Sequence, residues 1–254
     1  MFVLGKGVDL LTGGMYNRGG GVDDWEGDVV TEAVQETHCI SARAPGAVAR
    51  AVAVLRRGEV VAFPTDTVYG VGAHAFLPEA VDRLYRIKER PQAMAIPLLL
   101  PEAAAMEAVC DEVPALAWAL ASRFWPGGLS LVLRRAALVP GVVTAGGGTV
   151  AVRVPDDELV RELCLGLEAP LAATSANRHG QAAPVTAEGV TTALGGRLPL
   201  ILDGGPCPGG VPSTVLDLTV SPPAILRPGP IRRAALEAVV GEVRVASNTQ
   251  AAGD

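Results

Sequence analysis

No apolar run in this sequence exceeds the length of a β-strand, and this limits the fold more than any other feature. The longest, such as Val60-Val61-Ala62-Phe63 and Ile96-Pro97-Leu98-Leu99-Leu100, fall far short of the roughly 20 residues a membrane helix needs. Between them lie segments with helical spacing. Val48, Ala51, Val52 and Leu55 repeat at that period after Pro45, and Gly58 stops them; Val81, Leu84 and Tyr85 stripe a second helix over 78–90, ended by Pro91. Strands are expected at 60–63, 96–100, 129–133, 150–154, 170–173, 198–202, 213–218 and 224–226. Helices are expected at 115–124, 157–165 and 187–194. Strands and helices interleaved this way define a layered α/β domain. Aromatics are only 4% of the chain, so Ala, Val and Leu must fill the core.

The two ends read differently. Residues 1–44 contain seven acids against three bases, the run Gly19-Gly20-Gly21 and no sustained apolar period, which predicts a flexible acidic extension. The glycines are not a phosphate loop, because no Gly-Lys-Ser/Thr leads into a helix. The folded domain is expected over 45–240, with 241–254 a disordered tail. Met-Phe-Val-Leu-Gly-Lys at the start lacks a basic stretch followed by an apolar one, so a cytoplasmic location is expected, with no membrane partner. The four cysteines and three histidines are dispersed without ligand spacing, so no metal site is expected. A net charge of −6 disfavours a generic nucleic-acid binder, though it leaves room for a local cationic cleft.

Four kinds of segment hold polar groups at strand ends, where α/β sheets bind ligands. Pro64-Thr65-Asp66-Thr67-Val68-Tyr69-Gly70-Val71-Gly72 follows a buried strand and is either a ligand loop or an ordinary capped turn. Lys88, four residues after Leu84, continues the apolar face of its helix; with Arg90 it either binds phosphate or forms a solvated helix end. Ala173-Thr174-Ser175-Ala176-Asn177 is an Asx/Ser-type loop that suits phosphate or ribose, or a plain turn. Gly209-Gly210-Val211-Pro212-Ser213-Thr214 and Leu226-Arg227-Pro228-Gly229 place one polar group each at a strand boundary. Arg134 and Arg153 are single cations. Arg153 points away from the face shared by Val150, Val152 and Val154, where it needs partners or water. Hydroxyls, amides and cations of this sort suit binding polyanions and stabilising charge at phosphorus rather than covalent catalysis.

In order, Pro64–Gly70, Lys88-x-Arg90, Phe124-Trp125-Pro126-Gly127-Gly128-Leu129-Ser130, Arg153-Val154-Pro155, Ser175-Ala176-Asn177, Ser213-Thr214-Val215 and Leu226–Gly229 resemble the signature blocks of the YrdC-like family of threonylcarbamoyl-adenylate synthases. The resemblance covers roughly residues 45–240. It implies a twisted mixed sheet flanked by helices, with a concave basic cleft. It also implies that L-threonine, bicarbonate and ATP give threonylcarbamoyl-adenylate and pyrophosphate, which a downstream threonylcarbamoyl transferase complex uses to modify tRNA. Magnesium would accompany ATP without protein ligands, and no prosthetic group is implied. By the same resemblance Lys88 and Arg90 would be the catalytic, phosphate-holding cations. Ser130, Ser175, Asn177 and Arg227 would join them in binding ATP, and Thr65, Arg134, Ala173 and Ser213 would bind threonine.

The chain departs from that pattern at 92–98, which is longer than usual before the Pro-Leu pair, and at Pro101, where a histidine is common. Both bear on threonine recognition more than on ATP. The chain length implies the single-domain type. Two other readings remain: an RNA-binding YrdC-like module with weak tRNA affinity, and the carbamoyl-adenylate-forming domain of a carbamoyltransferase system, whose zinc-finger-like cysteines are missing here.

Overall fold

The computed structural model describes residues 36–208 and 211–246. Among the described residues eleven strands form one mixed sheet. In chain order they are β1 (His38–Ser41), β2 (Val61–Phe63), β3 (Gly70–His74), β4 (Leu98–Leu99), β5 (Leu129–Arg134), β6 (Thr149–Arg153), β7 (Leu171–Ser175), β8 (Leu200–Asp203), β9 (Thr214–Asp217), β10 (Ala224–Arg227) and β11 (Arg244–Val245). Across the sheet the order is β1-β8-β2-β3-β7-β4-β6-β5-β9-β10-β11. β1 and β2 run parallel to β8, β4 to β6 and β5 to β9, while β2/β3, β3/β7, β4/β7, β5/β6 and β9/β10 are antiparallel. The helices are α1 (Ala47–Arg56), α2 (Pro78–Lys88), α3 (Met106–Val109), α4 (Ala115–Phe124), α5 (Glu158–Leu167), α6 (Ala187–Leu194) and α7 (Arg233–Val240). None of the described helices is long and apolar enough to cross a membrane.

Because successive strand residues face opposite ways, the sheet feeds two separate cores. On one face Leu129, Leu131 and Leu133 of β5, Val150 and Val152 of β6 and Val71 of β3 pack with the apolar stripes of α2, α4, α6 and α7. On the other, Val61 and Phe63 of β2, Leu171 and Ala173 of β7 and Leu200 and Leu202 of β8 pack with Ala51, Val52 and Leu55 of α1 and Val160, Leu163 and Leu167 of α5. This second cover reaches only as far as Leu99 of β4.

Local chemistry starts and stops these helices where the sequence indicates. Asp157 caps α5 by accepting from the Val160 amide at 3.2 Å, and Thr186 caps α6 through the Gly189 amide at 3.1 Å. Pro78 opens α2, and Glu89 closes it in the left-handed region at φ 53°.

The structure differs from the sequence reading in three places. The sheet begins at His38 and ends at Val245, so the ordered domain is wider than 45–240. β1 pairs His38 with Leu200 and Ser41 with Asp203, and the Ala42 amide donates to the Asp203 carbonyl at 2.7 Å. Residues 1–35, the bulk of the expected extension, lie outside the described residues, as do 209–210 and 247–254. Residues 70–74 form a strand rather than a loop. The glycines are required there because a Cβ at Gly70 would stand 2.9 Å from the Phe63 ring, and one at Gly72 would stand 3.1 Å from it. Finally, α3 and α7 carry too short an apolar period to stand out in the sequence.

Candidate active site

The face that α1 and α5 leave bare holds a cavity of about 560 Å³, within the range of small-ligand clefts. Strand residues pave its floor: Leu99 of β4, Ser130 and Val132 of β5, Ala151 and Arg153 of β6, Ala173 and Ser175 of β7, and Val215 of β9. Leu99 and Ala173 also belong to the apolar core beneath α1 and α5, so the cavity begins where that cover ends. No residue of a described helix lines it.

Two hydroxyl groups of residues meet here. On one side the buried Thr65 hydroxyl donates to the Val68 carbonyl at 2.7 Å, accepts from the Thr67 amide at 3.1 Å and lies 3.0 Å from the Thr67 hydroxyl. Those bonds fold 65–68 into the capped turn that one of the two sequence readings expects, and the turn presents Thr65 and Thr67 to the cavity. On the other side the hydroxyls of Ser130 and Ser213, both buried, lie 2.9 Å apart. Parallel pairing of β5 with β9, which sets Ser130 against Val215, brings these distant segments together.

Three arginines reach the same space. Arg90 donates to the carbonyls of Met94 (3.2 Å) and Ala95 (2.9 Å). Arg227 is held on the Ser213 carbonyl through Nε at 3.1 Å, and reaches the Ser213 hydroxyl at 3.1 Å. Arg153 projects from the face opposite Val150 and Val152, as alternation requires. It finds its partners in Gly127 O (2.8 Å), the Thr67 hydroxyl (3.3 Å) and the Asp66 carboxylate. Burial lowers the pKa of each, and for Arg227 the nearby charges of Arg153 and Arg90 lower it further. Arg227, which feels both other cations, stands where a bound anion would offset that repulsion. The irregular segment 92–97 is fixed beside them. The Tyr85 hydroxyl donates to the Met94 carbonyl at 2.8 Å, and the Ile96 amide donates to Val143 O at 2.8 Å.

Of the residues singled out in the sequence, Thr65, Arg90, Ser130, Ala173, Ser175, Ser213 and Arg227 line the cavity, and three do not. Lys88 is 2% exposed. Its ammonium donates to the carbonyls of Ser175 and Asn177, and to Asn177 Oδ1 at 3.3 Å. Its helical position sends it into the body of the protein, where those oxygens favour the charged form; burial and then Arg90 act against it and lower its pKa to about 7. It ties down the 175–177 loop and stands outside the cavity lining. Asn177 is turned the same way, with Nδ2 donating to the carbonyls of Arg178 (2.9 Å) and Gln181 (2.6 Å). Its amide is therefore consumed within its own loop. Arg134 shares the cavity face and pairs with Thr149, which lines the cavity. It stands at the end of β5, four residues past Ser130, exposed and beyond the lining. Asp66, Thr67 and Arg153 are the site residues the sequence left unassigned. The alternation of Arg153 against three valines was the signal.

Among the described residues no group of three or more His, Cys, Asp or Glu is placed to hold a metal ion. Cys110 and Cys164 are buried, and burial pushes both thiols up to about 12.

A mixed sheet with one half-covered face and an arginine- and hydroxyl-lined cleft defines an α/β protein whose cavity suits a small polar ligand. The family profile Sua5_yciO_yrdC, described as "Telomere recombination", matches residues 53–229. The chain belongs to this Sua5/YciO/YrdC family. The threonylcarbamoyl-AMP synthase of Pyrococcus abyssi is 43% identical over 195 residues, covering 77% of this chain and 57% of its own length. The Bacillus subtilis protein of the same name is 44% identical over 200 residues, covering 78% and 58%. The solved structure of P. abyssi Sua5 complexed with L-threonine superposes with a TM-score of 0.78 at 40% identity, over 84% of this chain and 62% of that one. It shares the twisted mixed sheet flanked by helices. This chain thus spans a little over half the length of these two synthases.

Proposed function

We propose that this protein is a threonylcarbamoyl-AMP synthase, joining L-threonine, bicarbonate and ATP into threonylcarbamoyl-adenylate and pyrophosphate for tRNA modification. The observation that carries the reading is the convergence of Arg90, Arg153 and Arg227 with the Thr65/Thr67 and Ser130/Ser213 hydroxyls in one cleft. It is joined by 43–44% identity to proteins named for that reaction.

The chemistry needs two steps. The threonine amine adds to the bicarbonate carbon and water leaves, giving a carbamate. A carbamate oxygen then attacks the α-phosphorus of ATP, the bond to the bridging oxygen breaks, and pyrophosphate departs. No covalent enzyme intermediate is required. Placement and charge stabilisation carry the reaction, and arginines at the cleft match phosphate geometry. Arg90 and Arg227 take the phosphates. Thr65, Ala173 and Ser213 face the amino acid, and Ser130 and Ser175 the nucleotide. Lys88 and Asn177 act through the loop that carries Ser175. Magnesium travels with the triphosphate. The product passes to a threonylcarbamoyl transferase complex in the cytoplasm. Incubation of the purified protein with ATP, bicarbonate and a panel of amino acids tests this. Pyrophosphate and the adenylate are expected with threonine and much less with serine; equal turnover across the panel, or none with threonine, would refute it.

A further inference from the structure

We propose that a second pocket, outside the arginine cleft, binds a small aromatic carboxylate. It lies between α4, the loop after β4 and the first turn of α5, and shares no lining residue with the cleft. The proposal stands apart from the synthase reading. Trp118 lines the pocket from α4, with Ala121 and Ser122 at i+3 and i+4 on the same helix face. Trp125 and Pro126, just past α4, and Pro101, just past β4, add to the apolar lining. The Trp125 indole N–H is spent on the Leu129 carbonyl at 2.6 Å, which fixes that ring. The pocket encloses about 270 Å³. That exceeds the roughly 150 Å³ that takes up benzene and falls below the roughly 300–1,000 Å³ of drug-sized ligands. One ring system with a short polar arm fits, and a nucleotide does not.

Arg161 sets the polar requirement. Two buried side-chain nitrogens among the described residues lack a hydrogen-bond partner, Arg83 Nε and Arg161 Nε. The Arg83 guanidinium is already anchored on Glu59 at 2.6 Å. That of Arg161 enters no ion pair of the described residues, and the residue lines the pocket. Asp157, one turn back, feels its charge but spends Oδ1 on the Val160 amide at 3.2 Å. An N–H shut off from water costs free energy until an acceptor reaches it. A carboxylate entering the pocket supplies that acceptor and balances the guanidinium charge. The indoles and prolines around it ask for a flat apolar body behind the carboxylate. Glu102 is the one acidic residue of the lining, exposed and likewise in no ion pair of the described residues. A ligand with an ammonium beside its carboxylate, such as an aromatic amino acid, is therefore accommodated within the same class.

The test is titration of the full chain with phenylacetate, indole-3-acetate and L-phenylalanine, read by tryptophan fluorescence and by calorimetry. Two of the three tryptophans line the pocket, so binding should give a saturable fluorescence change. Trp25→Phe removes the third and should leave that change intact. At least one of the carboxylates should bind the parent roughly 10-fold or more tightly than uncharged phenethyl alcohol. Arg161→Gln should weaken it roughly 10- to 100-fold, the scale of a hydrogen bond to a charged group, with the melting temperature of the free protein little moved. Saturating ATP should leave the Kd within about twofold, because a ligand outside the cleft does not compete there. A preference for L-phenylalanine over phenylacetate assigns Glu102 to the ammonium, the reverse order leaves Glu102 to solvent, and either supports the proposal. No saturable binding below about 10 mM, equal affinity for the alcohol, displacement by ATP, or a Kd unmoved by Arg161→Gln overturns it. Should Arg161→Gln fail to fold, the comparison of carboxylate with alcohol on the parent decides alone. Failure to release pyrophosphate would defeat the synthase reading and leave this one standing.

Discussion

The two halves of one sheet face are built on the same pleat and end differently. Over β8, β2 and β7 the facing residues are Leu200, Leu202, Val61, Phe63 and Leu171, and α1 and α5 cover them completely. Over β4, β6, β5 and β9 the facing positions include Ser130, Ala151, Arg153 and Val215, and no residue of a described helix lines the cavity above them. Large aliphatic side chains can bury a helix against the sheet. Small side chains offer a helix little area to bury, and a buried arginine needs polar partners of the kind Arg153 finds in Gly127 O, Thr67 and Asp66 rather than an apolar helix face. The covered half therefore holds the domain together, and the bare half is free to bind. The comparison predicts that substitutions in the two halves separate into stability effects and ligand effects.

Leu163→Ala in α5 should show the largest effect. Leu163 is fully buried under the covered half, and such truncations cost about 2–5 kcal/mol. Denaturant unfolding should register that loss, with pyrophosphate release per folded molecule unchanged. Equal loss of both would mean the halves are not separable. Arg227→Ala is the converse test in the bare half. Losing one charge-assisted phosphate contact should lower kcat/KM for ATP by about 1.5–3 kcal/mol, with the melting temperature nearly unmoved. A large drop in melting temperature would show that its bonds to Ser213 are structural.

Lys88 lies between the two behaviours. Lys88→Met strands the Ser175 and Asn177 carbonyls and should destabilise by about 1–3 kcal/mol. Its pH dependence is the sharper measure. The native pKa is lowered to about 7 from 10.5, so between about pH 7 and 10 the unfolded chain binds the extra proton. Native stability therefore rises with pH across that window. Unfolding at pH 6.5, 8 and 9.5 should show the parent gaining on Lys88→Met as pH increases; a constant difference would place the titration elsewhere. The smallest effect concerns the edge. Truncation after residue 44 removes β1 and should be less stable than truncation after residue 35 by about 1 kcal/mol, the worth of a few net backbone hydrogen bonds and little buried side chain. Matching denaturation midpoints would make β1 dispensable.

The helices with a strong apolar stripe were legible because burial on one side leaves a period in the sequence. α2 and α4 begin as the pattern predicts, and Arg153 announced itself by alternating with valines. β3 was not legible: Gly70 and Gly72 read as a turn until Phe63 of the neighbouring strand is seen to need the space above them. β1 was hidden for a related reason. Its four residues are largely exposed, and it exists through backbone pairing to Leu200–Asp203, some 160 positions away.

The candidate site divides along the same line. Residue types and local period determined an α/β domain with hydroxyls and cations at strand ends, because those depend on neighbours a few positions apart. Which of those groups share a cavity depended on the sheet order, which no local pattern encodes. Parallel pairing of β5 with β9 joined Ser130 to Ser213. The position of Lys88 on α2 pointed it inward, and tertiary packing set the Ser175 and Asn177 carbonyls against its ammonium. The end of β5 set Arg134 beyond the lining. A side chain's chemistry is a property of its residue, but its partner is whatever the fold brings within about 3 Å, and that distance is set by strands and helices far apart in the chain.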